Sequence, residues 1–224
     1  TDPARLRESL HAIVAQLART RRLSEQLLAL AHATTGDEAA PAGEPAIADL
    51  NAIARGVVLQ YLPLARENDQ DLGWVDARGD IVGDQPDGRA EAGDDAAPPV
   101  PPAAANAAEL HEVLANLVHN AIKYTPRGGN ITVTVRREAS HALAEVCDSG
   151  PGIAPERRES VFERFHRDTS STTGAAQGAG LGLTIARSYA RRNGGEIELS
   201  NADMPERPNG GGLRATLRLP LRAA

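Results

Sequence analysis

The sequence predicts an α+β domain that is preceded by one long helix. Apolar residues in 2–33 recur at spacings of three and four, which is the period of an amphipathic helix. From about residue 49 the pattern changes to shorter helical and strand-like segments, as in a compact domain. A hydrophobic content of 41% and a net charge of −6 over 224 residues are typical of a soluble globular protein and give no basic excess for nucleic-acid binding.

Composition also limits the class and the compartment of the protein. No apolar run approaches the ~20 residues that a membrane span needs, and no signal peptide is visible. The single cysteine, Cys147, excludes an internal disulfide and a cysteine-rich zinc site, which favours a reducing compartment. The chain starts at Thr1 within a helical pattern, so we expect it to be a fragment of a longer protein.

The long helix begins at a capping signal and carries one apolar stripe. Asp2 can cap the helix, Pro3 suits its first position, and Gly36 ends it. The stripe has the spacing of a coiled-coil seam and contains Leu6, Leu10, Ile13 and Leu17. Because a single amphipathic helix cannot bury its own stripe, we expect self-association or a missing partner helix. The predicted division has three parts: helix 1–36, linker 37–48 and domain 49–224.

Within the domain, hydrophobic periodicity predicts four helices and six strands. The helices are 47–66, 109–124, 155–165 and 181–192, and the strands are 71–75, 80–82, 130–136, 142–148, 196–200 and 213–219. The segment 83–108 is rich in Pro, Ala, Gly and Asp, so we predict that most of it is a disordered or loosely packed loop. A second loop, of Ser, Thr, Gly and Ala, spans 166–179.

Helix 109–124 carries a polar stripe beside its apolar face. Glu112, Asn116, Asn120 and Lys123 step by four, four and three, so they stack along the helix. An amide oxygen beside a phosphate is a suitable Mg²⁺ ligand, because Mg²⁺ takes oxygen donors and shares them with substrate phosphates. Lys123 can offset phosphate charge one turn on. A solvated helix face explains the same stripe equally well.

Two glycine motifs follow along the chain. In "DSGPGI", Asp148–Ile153, a carboxylate at the end of a strand can accept from the exocyclic amine of adenine, and the glycines let the backbone approach the ring. In "QGAGLGLTIA", Gln177–Ala186, glycines lead into an amphipathic helix whose free N–H groups and dipole suit a phosphate. Either motif alone is also typical of an ordinary turn.

Taken together, the three motifs resemble the N, G1 and G2 boxes of the ATP-binding domain shared by gyrase, heat-shock chaperones, histidine kinases and mismatch-repair ATPases (the GHKL superfamily). The closer resemblance is to bacterial two-component sensor histidine kinases, through "NLVHNAIKYTP", "VFERFHR", "GAGLGLTIARSYARRNGGEIEL" and "GGLRATLRLP". It covers about 49–224. The helix at 2–33, with "RTRRLSEQLLALA", resembles the second helix of that family's dimerisation hairpin.

The resemblance implies a Bergerat-type fold, a two-layer α/β sandwich in which about three helices pack on a mixed sheet, and it implies ATP and Mg²⁺ as cofactors. Asn120 would ligate Mg²⁺, and Asn116 and Lys123 would lie at the reacting phosphates as catalytic residues. The other implied nucleotide-binding residues are Tyr124, Asp148, Gly150, Gly152, Ile153, Gly178, Gly180, Leu181, Gly182 and Thr216.

The resemblance also implies a lid over the triphosphate at 166–179. Phe162 and Phe165 would anchor this lid, or would simply belong to the core, and Arg164 and His166 are candidate phosphate contacts. We expect Cys147 to point into the core beside Asp148 and to be inert.

One comparison within the superfamily and two departures from the family pattern qualify the function. Hydrolysing members of the superfamily carry a glutamate as general base where this chain has Asn116, which cannot abstract a proton near neutral pH and so favours phosphoryl transfer. None of the six histidines has the context of a phosphoacceptor, so the acceptor helix is absent and we expect no autophosphorylation. The segment 83–108 is also longer than the family usually allows.

We therefore expect the MgATP-binding catalytic domain of a sensor histidine kinase, which donates the γ-phosphoryl group to a histidine for relay to an aspartate of a response regulator. The intact protein would dimerise through 2–33 and would not bind nucleic acid. This chain would be the cytoplasmic portion of a protein that is anchored in the bacterial inner membrane. The alternatives are an ATP hydrolase of the same superfamily and a nucleotide-binding scaffold that dimerises without kinase activity.

Overall fold

The structure, a computed structural model, describes residues 47–75, 81–82, 103–163, 180–202 and 211–221. The predicted helix at 2–33, most of the loop at 83–108 and the loop at 166–179 lie outside these residues. In chain order the elements are β1 (Ile47–Ala48), α1 (Leu50–Glu67), β2 (Asp71–Val75), β3 (Ile81–Val82), β4 (Ala103–Ala104), α2 (Ala107–Tyr124), β5 (Asn130–Glu138), β6 (His141–Asp148), α3 (Gly182–Arg192), β7 (Glu196–Asn201) and β8 (Leu213–Pro220).

Six of the strands form one mixed sheet in the order β3-β2-β5-β6-β8-β7. Strand β2 runs parallel to β5, with Leu72 opposite Ile131, and the remaining neighbours are antiparallel. The chain reaches β5 from β2 through α2, because parallel strands need a crossover connection. Strands β1 and β4 form a separate pair, in which Ile47 lies opposite Ala104. The predicted α+β class with a mixed sheet is confirmed.

One face of this sheet contributes to the core, and the three helices cover it. Val133, Ala144 and Leu217 on the central strands are fully buried, and they belong to the cluster that contains the apolar sides of the helices. Their strand neighbours Glu145 and Thr216 face the other side, because side chains alternate along a strand. Each large apolar side chain buried in such a core stabilises the fold by about 1.5–3 kcal/mol. The predicted two-layer arrangement is therefore confirmed.

Capping side chains fix where two of the helices begin. Asp49 accepts a hydrogen bond from a first-turn N–H of α1 at 3.1 Å, and Asn106 accepts two from the first turn of α2. The predicted helix start at 47 is wrong, because Ile47 pairs in β1 and the cap follows it. Helix α2 likewise begins at Ala107 and not at 109.

The end of the predicted loop at 83–108 is also folded. Ala103 and Ala104 form β4, and Ala103 and Ala105 are buried. The composition of 83–108 predicts a loop because this stretch has almost no large apolar side chain. Alanine nevertheless packs closely against its neighbours at almost no cost in side-chain entropy.

The predicted helix at 155–165 is not an α-helix in its described part. It consists of two 3₁₀ turns, Pro155–Arg157 and Ser160–Phe162. Only Phe162 in these turns is buried, so there is no apolar stripe that would favour a longer helix. The Arg158 side chain instead folds back, and its Nε atom donates to the carbonyl oxygen of Ile153 at 3.2 Å.

Candidate functional site

The polar stripe of α2 meets the start of α3. A Cβ atom at Gly182 would lie 3.1 Å from Oδ1 of Asn116 and 3.9 Å from Nδ2 of Asn120. Asn116 is buried, and its Nδ2 atom donates to the carbonyl oxygen of Glu112 at 2.8 Å, which turns Oδ1 toward α3. The structure thus brings together the two asparagines and one glycine of the predicted site.

Helix α3 begins without a capping side chain among the described residues. Gly180 adopts φ +67°, and the next residue, Leu181, is buried and makes no side-chain capping bond. The first N–H groups of α3 and its positive dipole end therefore lie beside Asn116 and Asn120, which is the arrangement that helices use to bind phosphate. Gly178, the first glycine of this motif, lies outside the described residues.

Asp148 ends β6 with a buried carboxylate. Its Oδ1 atom accepts from the backbone N–H of Gly150 at 2.8 Å and from that of Leu213 at 3.4 Å. Burial raises the pKa of Asp148 to about 6, and the two backbone donors only partly oppose this. Among the described residues, both of these bonds end on Oδ1, so the second oxygen can accept a hydrogen bond from a ligand.

The G1 loop, Gly150–Ile153, is packed between α2 and the β7–β8 hairpin. A Cβ atom at Gly150 would lie 3.0 Å from the carbonyl oxygen of Tyr124. Gly152 adopts φ +72°, and a Cβ there would lie 3.0 Å from the carbonyl oxygen of Gly212. A Cβ atom at either position would crowd a backbone carbonyl oxygen, so both contacts favour glycine, and the positive φ of Gly152 favours it further.

Lys123 and Tyr124 lie side by side at the end of α2. The Nζ atom of Lys123 is 3.2 Å from the hydroxyl of Tyr124 and 4.8 Å from the centre of its ring. Tyr124 is 44% exposed, so its ring is accessible at the end of α2. An exposed ring next to a cation can stack on a ligand base.

Phe162 packs the two 3₁₀ turns, Pro155–Arg157 and Ser160–Phe162, against α3. The ring is buried, and the guanidinium of Arg187 lies 4.5 Å from its centre. Thr184 in the first turn of α3 donates to the carbonyl oxygen of Phe162 at 2.7 Å, and Arg187 also binds Glu159 and Glu196. No pattern in the sequence indicates these contacts of Thr184 and Arg187. Phe165, Arg164 and His166 lie outside the described residues.

Two residues named in the sequence analysis lie on the face of the sheet away from the helices. Thr216 pairs with Glu145 on the face away from the helices, and its hydroxyl lies 3.5 Å from that carboxylate, so it does not reach Asp148. Leu213 is the β8 residue opposite Asp148. Cys147 does not point into the core either. Strand alternation turns it to the outer face, half-buried, where Arg214 donates to its Sγ atom at 3.4 Å.

A family described as histidine kinase-, DNA gyrase B- and HSP90-like ATPases matches residues 105–223, which is more than half of the chain. The chain belongs to this family. The family resemblance predicted from the three motifs is therefore confirmed, and the chain contains an ATP-binding catalytic domain of the histidine-kinase type.

Sensor kinases are among the similar relatives of this family member. The chain is 42% identical over 106 residues to the signal transduction histidine-protein kinase/phosphatase MprB of Mycobacterium avium (strain 104), which covers 47% of the chain and 20% of that protein. It is 44% identical over 90 residues to the sensor-like histidine kinase SenX3 of Mycobacterium tuberculosis (strain H37Rv), covering 40% and 22%. The match thus spans about a fifth of each relative.

Solved histidine-kinase structures share the fold. A mycobacterial sensor histidine kinase MprB aligns with a TM-score of 0.61 at 24% identity, over 80% of this chain and 100% of that one. A nucleotide-free catalytic domain of histidine kinase ThkA aligns with a TM-score of 0.56 at 26% identity, over 77% and 92%. The three-helix, mixed-sheet arrangement of this ATPase family member is therefore the one seen in histidine-kinase catalytic domains.

The donors at the site suit a Mg²⁺ ion that arrives with phosphates. The described residues contain no cluster of three or more His, Cys, Asp or Glu side chains that could hold a metal ion by themselves. The half-buried Asn120 beside the start of α3 offers one amide oxygen. Mg²⁺ commonly takes one or two protein oxygens and completes its shell with substrate phosphates and water.

Within the described ranges, no helix is long and apolar enough to cross a bilayer.

Proposed function

We propose that this chain is the MgATP-binding catalytic part of a sensor histidine kinase, which donates the γ-phosphoryl group of ATP to a histidine outside this chain. The observation that carries the proposal is the close approach of Gly182 to Asn116, because it joins the polar stripe of α2 to the uncapped start of α3. An asparagine pair beside free helix N–H groups is suited to a triphosphate with its metal ion.

The nucleotide would lie between α2, the G1 loop and the start of α3. Asp148 would accept from the adenine amine through its second oxygen, and Tyr124 would pack against the ring. Lys123 would contact phosphate oxygens. The backbone N–H groups at the start of α3, after Gly180, would bind other oxygens of the triphosphate. Asn120 would supply the protein ligand of Mg²⁺, which neutralises phosphate charge and orients the leaving group when bound.

Phosphoryl transfer fits this set of groups better than hydrolysis. Transfer requires the γ-phosphoryl to be positioned and its charge to be balanced, with little covalent work from the protein. Hydrolysis requires a base that activates water, and by the family resemblance Asn116 would stand at the position from which such a base acts. Asn116 is only 7% exposed and its amide is bound to the Glu112 carbonyl, so its role would be to hold α3 and the phosphates in place.

The partners belong to the longer protein that we infer. A phosphorylated histidine would pass its phosphoryl group to an aspartate of a response regulator, and the predicted helix at 2–33 would take part in the dimer. One of the solved structures similar to this chain is a complex of histidine kinase ThkA with the response regulator protein TrrA. The chain would lie on the cytoplasmic side of a protein anchored in the inner membrane by segments outside it.

Nucleotide binding is tested by titrating the 224-residue protein with ATP in the presence of Mg²⁺ or EDTA. Asn120→Ala should reduce affinity in Mg²⁺ about tenfold, to near the value in EDTA, and Asp148→Asn should reduce it under both conditions. Asn130→Ala, at an exposed position of β5, is the matched control and should change nothing. If Asn120→Ala and Asn130→Ala behave alike, the metal assignment is wrong.

Kinase activity is tested by transfer from radioactive ATP to a separate dimeric peptide that carries the histidine hairpin. Labelled peptide and unlabelled chain are expected. Binding of ATP without any labelled peptide would indicate the scaffold alternative, and release of phosphate without peptide would indicate a hydrolase.

A further inference from the structure

The side-chain amide of Gln70 connects two parts of the chain that are far apart in sequence. Gln70 follows α1 in a tight turn, and its backbone N–H donates to the carbonyl oxygen of Ala65 at 2.9 Å. The residue is 7% exposed. Its Nε2 atom donates to the carbonyl oxygen of Ile122 at 2.9 Å and to that of Thr125 at 2.6 Å. Both amide hydrogens are therefore used at the end of α2.

Pro126 explains why the carbonyl group of Ile122 takes a donor from another element. In a continuing helix this carbonyl would accept from the N–H of residue 126, four positions on. Proline has no N–H, and the last backbone bond of α2 runs from Thr125 to the carbonyl oxygen of Ala121. Gln70 supplies the donor that Pro126 lacks, in a buried place where an unpaired carbonyl group is unfavourable.

The two carbonyl groups held by Gln70 flank Lys123 and Tyr124. The amide therefore fixes the backbone on both sides of this pair from the interior, while the pair itself lies on the outer side of the helix end. Gly150 packs against the carbonyl oxygen of Tyr124, which lies between the two. The turn that presents the lysine and the tyrosine is thus contacted at three of its carbonyl groups, those of Ile122, Tyr124 and Thr125.

We propose that Gln70 is a positioning residue of the nucleotide site, which acts by holding the backbone around Lys123 and Tyr124. The proposal rests on the proposed function, in which these two side chains contact the phosphates and the adenine. Gln70 does not itself touch the ligand. A site whose backbone is fixed before binding loses less conformational freedom when the ligand arrives, so removal of the amide should lower affinity.

The test uses two variants and a matched control in the 224-residue protein. Gln70→Met keeps the shape of the side chain and removes both donors, and Gln70→Glu places a carboxylate against two carbonyl oxygens. Gln60→Glu makes the same chemical change at an exposed position of α1. We expect the Kd for ATP at pH 8 to rise about tenfold, or ~1.4 kcal/mol, in Gln70→Met and further in Gln70→Glu, with no change in the control.

A pH series separates positioning from a merely structural role. A protonated carboxyl can donate one hydrogen bond, so the Kd of Gln70→Glu relative to that of the unaltered protein should fall as pH decreases from 8 to 6. Thermal melting identifies the temperatures at which each variant is folded. Unchanged affinity in folded Gln70→Met would overturn the proposal, and this variant decides alone if Gln70→Glu does not fold. If the unaltered protein binds no ATP, the proposed function itself fails.

Discussion

Gly182 approaches Asn116 so closely that a Cβ atom on the glycine would lie 3.1 Å from the Oδ1 atom of the asparagine. Asn116 cannot readily withdraw, because it is buried and its amide is bound to the carbonyl oxygen of Glu112. The contact aligns the start of α3 with the polar stripe of α2. It therefore gives a physical reason for glycine at this position, in addition to the exposure of backbone N–H groups.

Gly182→Ala should weaken nucleotide binding more than it weakens the fold. The added Cβ must push α3 away from Asn116 by a few tenths of an ångström, while alanine favours the helix by up to about 1 kcal/mol over glycine. We expect the Kd for ATP to rise about tenfold with a change in unfolding free energy below ~1 kcal/mol. Titration and chemical denaturation measure the two effects.

The control for this change is Gly56→Ala, in the middle of α1. A Cβ at Gly56 meets no atom within 4 Å, so this variant should gain about 0.5–1 kcal/mol of stability without any change in affinity. Equal loss of affinity in both variants would show that the contact with Asn116 is not what matters.

The contact between Gly182 and Asn116 could be anticipated only in part. The three motifs predicted that both residues serve one nucleotide, and this follows from their chemistry. The sequence did not indicate that the glycine packs directly on the asparagine amide, because that depends on how α2 and α3 pack in three dimensions. Helix packing is determined by side chains along both helices and not by any single motif.

Asp148→Asn should stabilise the domain near neutral pH. Burial raises the pKa of this carboxyl from 3.8 to about 6 in the folded state, so the folded protein binds a proton more tightly than the unfolded chain does. The free energy of unfolding therefore decreases as pH rises from about 4 to 6, by on the order of 2 kcal/mol. Asparagine can still accept from Gly150 and Leu213 without this penalty. Denaturation at pH 4 and pH 7 should show a gain only at pH 7.

The same substitution should weaken ATP binding. In the unaltered protein, affinity should fall as pH decreases below about 6, because the protonated carboxyl is a poorer acceptor for the adenine amine. Asp148→Asn should bind weakly at all pH values and lose this dependence, since its amide nitrogen would face the amine. Lower stability of Asp148→Asn at pH 7 would contradict the unfavourable burial of the Asp148 charge. Unchanged ATP affinity of this variant would contradict the contact of Asp148 with the adenine amine.

The faces of the strands show where sequence reasoning failed and why. The predicted strand 142–148 correctly ends at Asp148. The prediction that Cys147 points into the core beside Asp148 is wrong, because neighbouring residues on a strand face opposite sides of the sheet. Thr216 was assigned from a family motif, and the pairing between β6 and β8 instead puts Leu213 opposite Asp148. Register between strands is long-range information that no local pattern contains.

Substitutions at Gly128 and Gly152 distinguish the effect of backbone strain from the effect of crowding at the site. Gly128 adopts φ +73° with open space around it, whereas Gly152 adopts φ +72° beside the carbonyl oxygen of Gly212. Alanine at either position should cost about 1–2 kcal/mol of stability, because non-glycine residues disfavour the left-handed region. Only Gly152→Ala should also reduce ATP affinity, since its Cβ would move the G1 loop. Loss of affinity in Gly128→Ala would remove this distinction.

The far ends of α2 and α3 are held together by Asn193. Its Nδ2 atom donates to a carboxylate oxygen of Glu109 at 2.8 Å, and its Oδ1 atom accepts from the backbone N–H of Asn106 at 2.7 Å. Because Gly182 meets Asn116 at the other end of α3, the helices run antiparallel and are fixed at both ends. Asn193→Ala should therefore lower the free energy of unfolding by about 2 kcal/mol, because it removes these bonds while the ion pair between Arg192 and Glu109, at 3.1 Å, still joins the two helix ends.

Asn193→Ala is measured by denaturant unfolding, with Asn130→Ala at an exposed strand position as the control. Stability should fall in the first variant and stay within ~0.5 kcal/mol in the second. Since the contact lies at the opposite end of α3 from the nucleotide site, ATP affinity measured well below the melting temperature should change by less than about threefold. A larger loss of affinity at unchanged stability would mean that Asn193 influences the site directly and does not simply join the two helices.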